Sequence, residues 1–186
     1  MKTKYSITIA GCKRELPLCK ASETLTIAGF VIFGDVELTC ACAAELLKKA
    51  PEFDYLISPE AKAIPLAHEM ARQSGRNEYF VVRKAPKLYM KDVFETEVQS
   101  ITTKGKQKLY MDSADAEKMK GKRILLLDDV ISTGESIAGV EKLVSEAGGI
   151  VAGRMAILAE GKAAERDDII FLEKLPVFTP EGEPIE

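Results

Sequence analysis

Hydrophobic and polar positions change their period several times along the chain. Residues 5–10 and 14–18 alternate apolar and polar side chains, and residues 25–33 form an apolar run broken at Gly29; this predicts short strands. From Asp35 the period lengthens: Val36, Cys40, Ala43, Leu47 and Ala50 recur at three- and four-residue steps before Pro51, which predicts a helix capped by Asp35. A short strand is expected over residues 55–58. A helix is expected from about Ala61 with Ala63, Leu66, Ala67, Met70 and Ala71 inward and Gly75 as its stop, then a strand over residues 79–82. A long polar stretch, residues 83–121, is read as carrying a hairpin around Gly105. Residues 124–127 are four consecutive aliphatic side chains, the mark of a strand buried on both faces. Residues 134–147 place Ile137, Val140, Leu143, Val144 and Ala147 on one helical face and feed a strand over residues 150–158. Alternating strands and helices imply an α/β fold, a parallel sheet with helices on both faces, and ligands at the carboxyl ends of the strands. The expected organisation is a small N-terminal β-rich segment (1–34), an α/β core (35–160) and a C-terminal strand and tail (161–186), with residues 179–186 loose.

Composition narrows the function classes. The 186 residues are 46% hydrophobic and 30% charged, typical of a folded globular chain. Lysine and arginine number 26 against 29 acidic residues, a net charge of −3, which argues against a nucleic-acid partner. No apolar run is long enough for a membrane helix and residues 1–10 lack a signal-peptide pattern, so a cytoplasmic protein without a membrane partner is expected. Cys12, Cys19, Cys40 and Cys42 are too few for a disulfide framework and read as reduced, structural thiols.

The chemistry concentrates in residues 124–136, Ile-Leu-Leu-Leu-Asp-Asp-Val-Ile-Ser-Thr-Gly-Glu-Ser. Asp128 and Asp129 end a buried strand, and a Ser-Thr-Gly turn opens a helix directly after them. Free backbone N–H groups, the helix dipole and the hydroxyls of Ser132, Thr133 and Ser136 suit a phosphate. The two carboxylates then stand where an attached sugar would lie, able to accept from vicinal hydroxyls or to hold a hydrated magnesium ion. A Ser/Thr cap alone would merely start a helix; the thirteen-residue arrangement is what points to phosphate. Neither a Gly-x4-Gly-Lys-Ser/Thr loop nor a Gly-x-Gly-x-x-Gly turn is present. Lys62, Arg83, Lys84 and Lys87 follow two neighbouring strand ends, and residues 83–108 hold seven basic against three acidic side chains. That local excess fits a loop closing over an anion.

Residues 124–136 resemble the 5-phosphoribosyl-1-diphosphate (PRPP) motif of type I phosphoribosyltransferases. The likeness extends to Ser58-Pro59-Glu60-Ala61-Lys62-Ala63, similar to the family's diphosphate loop, and to Val81-Val82-Arg83-Lys84, similar to adenine and xanthine phosphoribosyltransferases; it can be followed over residues 25–160. The resemblance implies an enzyme that moves phosphoribosyl from PRPP to a purine base, with Mg2+, as a homodimer. It implies Asp128, Asp129, Lys62, Arg83 and Lys84 as catalytic residues. PRPP would be held by these together with Val130, Ile131, Ser132, Thr133, Gly134, Glu135, Ser136, Glu60, Ala61 and Lys87. Magnesium would sit on Asp128 and Asp129 through water. The base would lie against Phe30, Phe33 and Gly34, under a hood made by the N-terminal segment and, in some members, the C-terminal one, here residues 161–186, and a closing loop would carry Ser100 and Thr102.

The base itself is read in two ways. Ser-Thr-Gly-Glu-Ser looks like the adenine enzymes, whereas residues 98–103, Val-Gln-Ser-Ile-Thr-Thr, are closer to the xanthine pattern. Adenine is the first expectation, with xanthine- or orotate-type activity as alternatives, the latter kept open by Lys104, Lys106 and Lys108. A non-catalytic PRPP-sensing regulator is the alternative of a different class; the first 34 residues lack a helix-turn-helix pattern and a basic face, which favours the enzyme.

Overall fold

The computed structural model describes residues 2–90, 92–100 and 105–185. Strands β1 (Lys4–Ile9) and β2 (Cys12–Lys20) pair antiparallel through a two-residue turn, Ala10 and Gly11, at φ 50° and 80°. Both turn residues lie in the left-handed region, the geometry that matches the twist of a tight hairpin. The strand expected over residues 25–33 shortens to β3 (Thr26–Ala28), because the chain leaves the sheet at Gly29, whose N–H donates to the Pro17 carbonyl at 2.8 Å. Beyond it the side chains alternate: Phe30 and Ile32 are buried, while Val31 and Phe33 stand in solvent.

Helix α1 (Val36–Lys49) is capped by Asp35, whose carboxylate accepts from Leu38 N at 3.1 Å. Arg14 of β2 reaches the same carboxylate through Nε (2.6 Å) and Nη2 (2.9 Å), tying the small sheet to the start of the helix. The buried face of α1 is Leu38, Thr39, Cys42, Ala43 and Leu46, and Val36 is exposed. The expected stripe through Val36, Leu47 and Ala50 is therefore rotated, since a capped first turn keeps Val36 at the solvent edge.

A five-stranded, wholly parallel sheet follows. Its strands are β4 (Tyr55–Pro59), β5 (Phe80–Val82), β8 (Arg123–Ile131), β9 (Ile150–Glu160) and β10 (Ile170–Leu175), in the order β10-β9-β8-β4-β5. Between them lie α2 (Ile64–Gln73), the antiparallel hairpin β6 (Val93–Ser100) with β7 (Gly105–Asp112), α3 (Ser113–Met119), α4 (Glu135–Glu146) and a 3-10 helix (Gly161–Glu165). Alternate residues of β8 feed opposite faces: Leu125 and Leu127 pack with α1 and α2, Ile124 and Leu126 with α3 and α4. All five apolar positions expected on α2 are buried, although the helix begins at Ile64, after a turn over residues 61–63. Helix α3 has no counterpart in the sequence reading; with seven residues and only Ala116 and Met119 buried, it leaves almost no periodic signal.

The C-terminal residues depart from the loose tail expected. Strand β11 (Val177–Phe178) pairs with β3, and β12 (Pro184–Ile185) pairs with β11, so the chain end completes the small sheet β1-β2-β3-β11-β12. Phe178 is buried there, edge-on to Tyr5 at 5.1 Å. Among the described residues no helix is long and apolar enough to cross a membrane.

Candidate active site

The order of strands locates the site before any side chain does. From β4 the chain moves outward to β5, then returns across β4 to β8, so the direction of winding reverses between β4 and β8. In open α/β sheets a crevice forms at the carboxyl ends of such a pair. Here those ends are Pro59-Glu60-Ala61-Lys62 and Asp128-Asp129-Val130-Ile131. They face a small cavity of about 150 Å3 lined by Pro59, Glu60, Ala61, Lys62, Lys84, Asp128, Asp129, Val130 and Ser136.

On the β4 side, Glu60 is an organising carboxylate. Its N–H donates to the Val82 carbonyl (2.9 Å); its Oε1 accepts from Lys84 N (2.8 Å) and its Oε2 pairs with Arg83 Nη1 (3.1 Å). Burial pushes the Glu60 carboxyl upward, but the Lys84 amide, Arg83 and the nearby charge of Lys87 outweigh it and hold it below the ordinary range. Arg83 is also fixed through its backbone, which exchanges two hydrogen bonds with Tyr110 of β7 (2.8 and 2.9 Å). The base of the hairpin is thereby tied to the basic strand end. The Glu60–Ala61 peptide is cis.

On the β8 side, Asp128 and Asp129 are buried within the strand, which runs on to Ile131 rather than ending at the two carboxylates. Asp128 Oδ1 accepts from Asp129 N at 2.9 Å. Lys62 Nζ lies 2.9 Å from Asp129 Oδ2 as an ion pair without hydrogen-bond alignment, so that buried oxygen has no hydrogen-bond partner. Burial, and then the neighbouring charge of Asp129, push the Asp128 carboxyl up to about 7. Two adjacent buried carboxylates, with Asp129 Oδ2 lacking a hydrogen-bond partner, form a site suited to cations or hydroxyl donors.

The turn after β8 exposes Ser132 and Thr133 and passes through Gly134 at φ 81° into α4. Thr133 Oγ1 accepts from Glu135 N (3.4 Å), while Ile131 is buried and anchors the turn. Gly134 gives α4 no side-chain N-cap, so apart from Glu135 N the first-turn N–H groups are open to an external anion.

Other expected residues lie apart. Phe30 is buried in the core below the small sheet, whereas Phe33 is half exposed. Gly34, at φ 80°, borders a separate, mainly apolar cavity of about 370 Å3 with Ile32, Val36, Pro65, His68 and Tyr79. Lys87 lines neither of these two cavities; its N–H points to Met90 Sδ at 3.4 Å. Thr102 and the side chain of Ser100 lie outside the described residues.

Two residues at the site escaped the sequence reading. Glu160 ends β9, and burial raises its pKa against the opposing charge of Lys62. Arg166 approaches Gly134: a Cβ at Gly134 would lie 2.3 Å from Arg166 Nη1. Neither belongs to a local motif. Only the pairing of β8 with β9 brings residues 158–166 beside the turn.

A family model described as the phosphoribosyl transferase domain matches residues 41–178. Adenine phosphoribosyltransferase of Thermotoga petrophila is 36% identical over 109 residues, which is 59% of this chain and 60% of that protein. Hypoxanthine/guanine phosphoribosyltransferase of Methanothrix thermoacetophila is 29% identical over 115 residues, 62% of this chain and 56% of that protein. The match thus spans about three fifths of the length of these curated relatives. Among solved structures, adenine phosphoribosyltransferase of Thermoanaerobacter pseudethanolicus superposes with a TM-score of 0.66 at 24% identity, covering 92% of this chain and 95% of that one. The Saccharomyces cerevisiae adenine phosphoribosyltransferase, solved with an imino-altritol bisphosphate and adenine, gives 0.65 at 18%, covering 92% of each chain. At these identities the likeness establishes the fold.

Proposed function

Because this chain belongs to the phosphoribosyl transferase domain family, we propose that it transfers phosphoribosyl from PRPP to a purine base, with adenine favoured, releasing diphosphate and forming a nucleoside monophosphate. The observation that carries this is the meeting of Lys62 with Asp129 across the switch point, beside an uncapped helix start. A cation, two buried carboxylates and a row of free N–H groups match a ligand that bears a diphosphate, a diol and a phosphate in that order.

In this reading the turn over residues 131–136 takes the 5-phosphate, and Asp128 and Asp129 accept hydrogen bonds from the ribose hydroxyls. Lys62, Arg83, Lys84 and Lys87 neutralise the diphosphate as its bond to C1 of the ribose lengthens and a base nitrogen forms the new bond. Rate enhancement comes from positioning and from charges already aimed at the leaving group. Phe33 and the backbone at Gly34 support the base; Phe30 supports them from the core. The hairpin from β6 to β7, anchored on Arg83, closes over the reacting atoms.

The residues fit a hydrated magnesium ion: Asp128 and Asp129 are adjacent buried carboxylates, and Asp129 Oδ2 lacks a hydrogen-bond partner. Asp128 and Asp129 would hold it through water, with substrate oxygens completing its shell. When bound it supplies charge neutralisation at the diphosphate. Exposed Leu88 and Tyr89, next in the chain to Lys87, support a homodimer that carries Lys84 or Lys87 toward the partner's site.

The test is a screen of adenine, xanthine, hypoxanthine, guanine and orotate with PRPP and Mg2+, reading diphosphate release. Turnover highest with adenine is expected. Binding of PRPP without turnover of any base would favour a sensing role instead.

A further inference from the structure

Residues 124–141 contain four carboxylates, Asp128, Asp129, Glu135 and Glu141, and no lysine or arginine. A phosphate dianion in the turn over residues 131–136 would therefore find N–H groups and hydroxyls, but no cation, in its own segment. Lys62 and Lys84 line one cavity with Asp128, Asp129 and Ser136, on the strand-end side of the turn. On the Gly134 side of the turn the neighbouring cation is Arg166, 32 residues further along the chain.

Strand pairing brings it there. Val130 and Ile131 lie opposite Leu158 and Ala159, so β8 and β9 leave the sheet side by side. The 3-10 helix then folds back on its buried residue Ala163, whose carbonyl accepts from Arg166 N at 3.2 Å. Arg166 is locked by Asp168, which accepts from Nε at 2.8 Å and from Nη2 at 2.6 Å. Nη1 remains. It makes no hydrogen bond among the described residues and occupies the space a Gly134 side chain would fill, 2.3 Å from that Cβ position. A planar guanidinium held by one edge presents its remaining N–H donors in a fixed direction, the arrangement that suits an oxyanion.

The geometry points to Arg166 as a further substrate-binding residue, the cation that holds the 5-phosphate group through Nη1, with Asp168 as the residue that positions it. This rests on the proposed PRPP reaction. It also gives Gly134 a second reason to lack a side chain, beyond its positive φ: a Cβ would displace the guanidinium from the turn.

Calorimetric titration of the full-length protein with ribose 5-phosphate, and separately with inorganic diphosphate and Mg2+, tests the assignment. A charge-assisted hydrogen bond lost in Arg166→Gln should weaken ribose 5-phosphate on the order of 10- to 100-fold. Diphosphate affinity should stay as in the wild type. With PRPP and the preferred base, KM should rise by a similar factor while kcat holds, as for binding shared by ground and transition states. Arg166→Lys, which keeps the charge, should recover part of the loss. Unchanged ribose 5-phosphate affinity in Arg166→Gln overturns the assignment; so does a loss shared equally by diphosphate, or no recovery with lysine, since either marks a bracing role only. A wild-type protein that binds neither PRPP nor ribose 5-phosphate overturns the proposed function, and the role of Arg166 with it.

Discussion

Lys62 and Asp129 stand 2.9 Å apart across the gap between the carboxyl ends of β4 and β8. The lysine is half exposed and the carboxylate nearly buried, so the pair joins a solvent-facing cation to a buried anion where the winding of the sheet reverses. On the proposed reading, substrate gives each of them a new partner.

Replacing both carboxylates, Asp128→Asn with Asp129→Asn, should leave the protein folded and lower diphosphate release by about 100-fold or more. The raised pKa of Asp128 sets the sign of the stability change. The folded state keeps its proton up to about pH 7, whereas an ordinary aspartate releases it near 3.8, so the acidic pair weakens the fold increasingly as pH rises from about 4 to about 7, and the penalty is constant above that. Thermal melts should show the double variant gaining more over wild type at pH 8 than at pH 5. An unfolded variant at pH 8 would contradict this.

Glu69 carries the opposite linkage. Arg72, then Gln73, hold its carboxyl down to about 2, and Gln73 also donates to the Cys40 carbonyl at 3.0 Å, joining α2 to α1. Its contribution is complete above the ordinary value of 4.5 and disappears as pH falls toward 2. Glu69→Gln should therefore melt earlier than wild type at pH 7, the gap narrowing below pH 4.5 and closing only near pH 2.

Gly134→Ala should cost roughly 1–2 kcal/mol of stability from its positive φ alone and additionally weaken ribose 5-phosphate. Gly121 supplies the comparison: it has a similar φ of 66°, but a Cβ there meets nothing within 4 Å. Gly121→Ala should lose comparable stability in urea melts while binding ribose 5-phosphate as wild type does.

Limited proteolysis addresses the hairpin. Cleavage within residues 84–108 should slow when PRPP and Mg2+ are present, as expected of a segment that closes over bound ligand. Equal cutting with and without ligand would count against closure.

Base choice follows from edge polarity, since the 6-amino group of adenine reverses the donor and acceptor pattern of a 6-oxo purine. Adenine should give the highest kcat/KM, and Phe33→Ala should lower it through base binding while PRPP affinity is nearly unchanged. Higher efficiency with xanthine would show that residues 98–103 carried the better signal.

The sequence by itself determined the parallel sheet, the caps at Asp35 and Gly75, the buried faces of α2 and α4, and the coincidence of Asp128, Asp129 and the Ser-Thr-Gly turn. Each of these is local: a period, a cap or a left-handed glycine is written within a few consecutive residues. Pairing across sequence distance is not. Only the tertiary structure drew residues 184–185, within the tail expected over 179–186, onto β11 as strand β12 of the first sheet, because backbone donors find acceptors there that no short window reveals. Likewise, Lys62 met Asp129, and Arg166 met Gly134, only once strand order had been chosen. Burial in that order, more than residue type, lifts the Asp128 carboxyl and leaves Asp129 Oδ2 without a hydrogen bond.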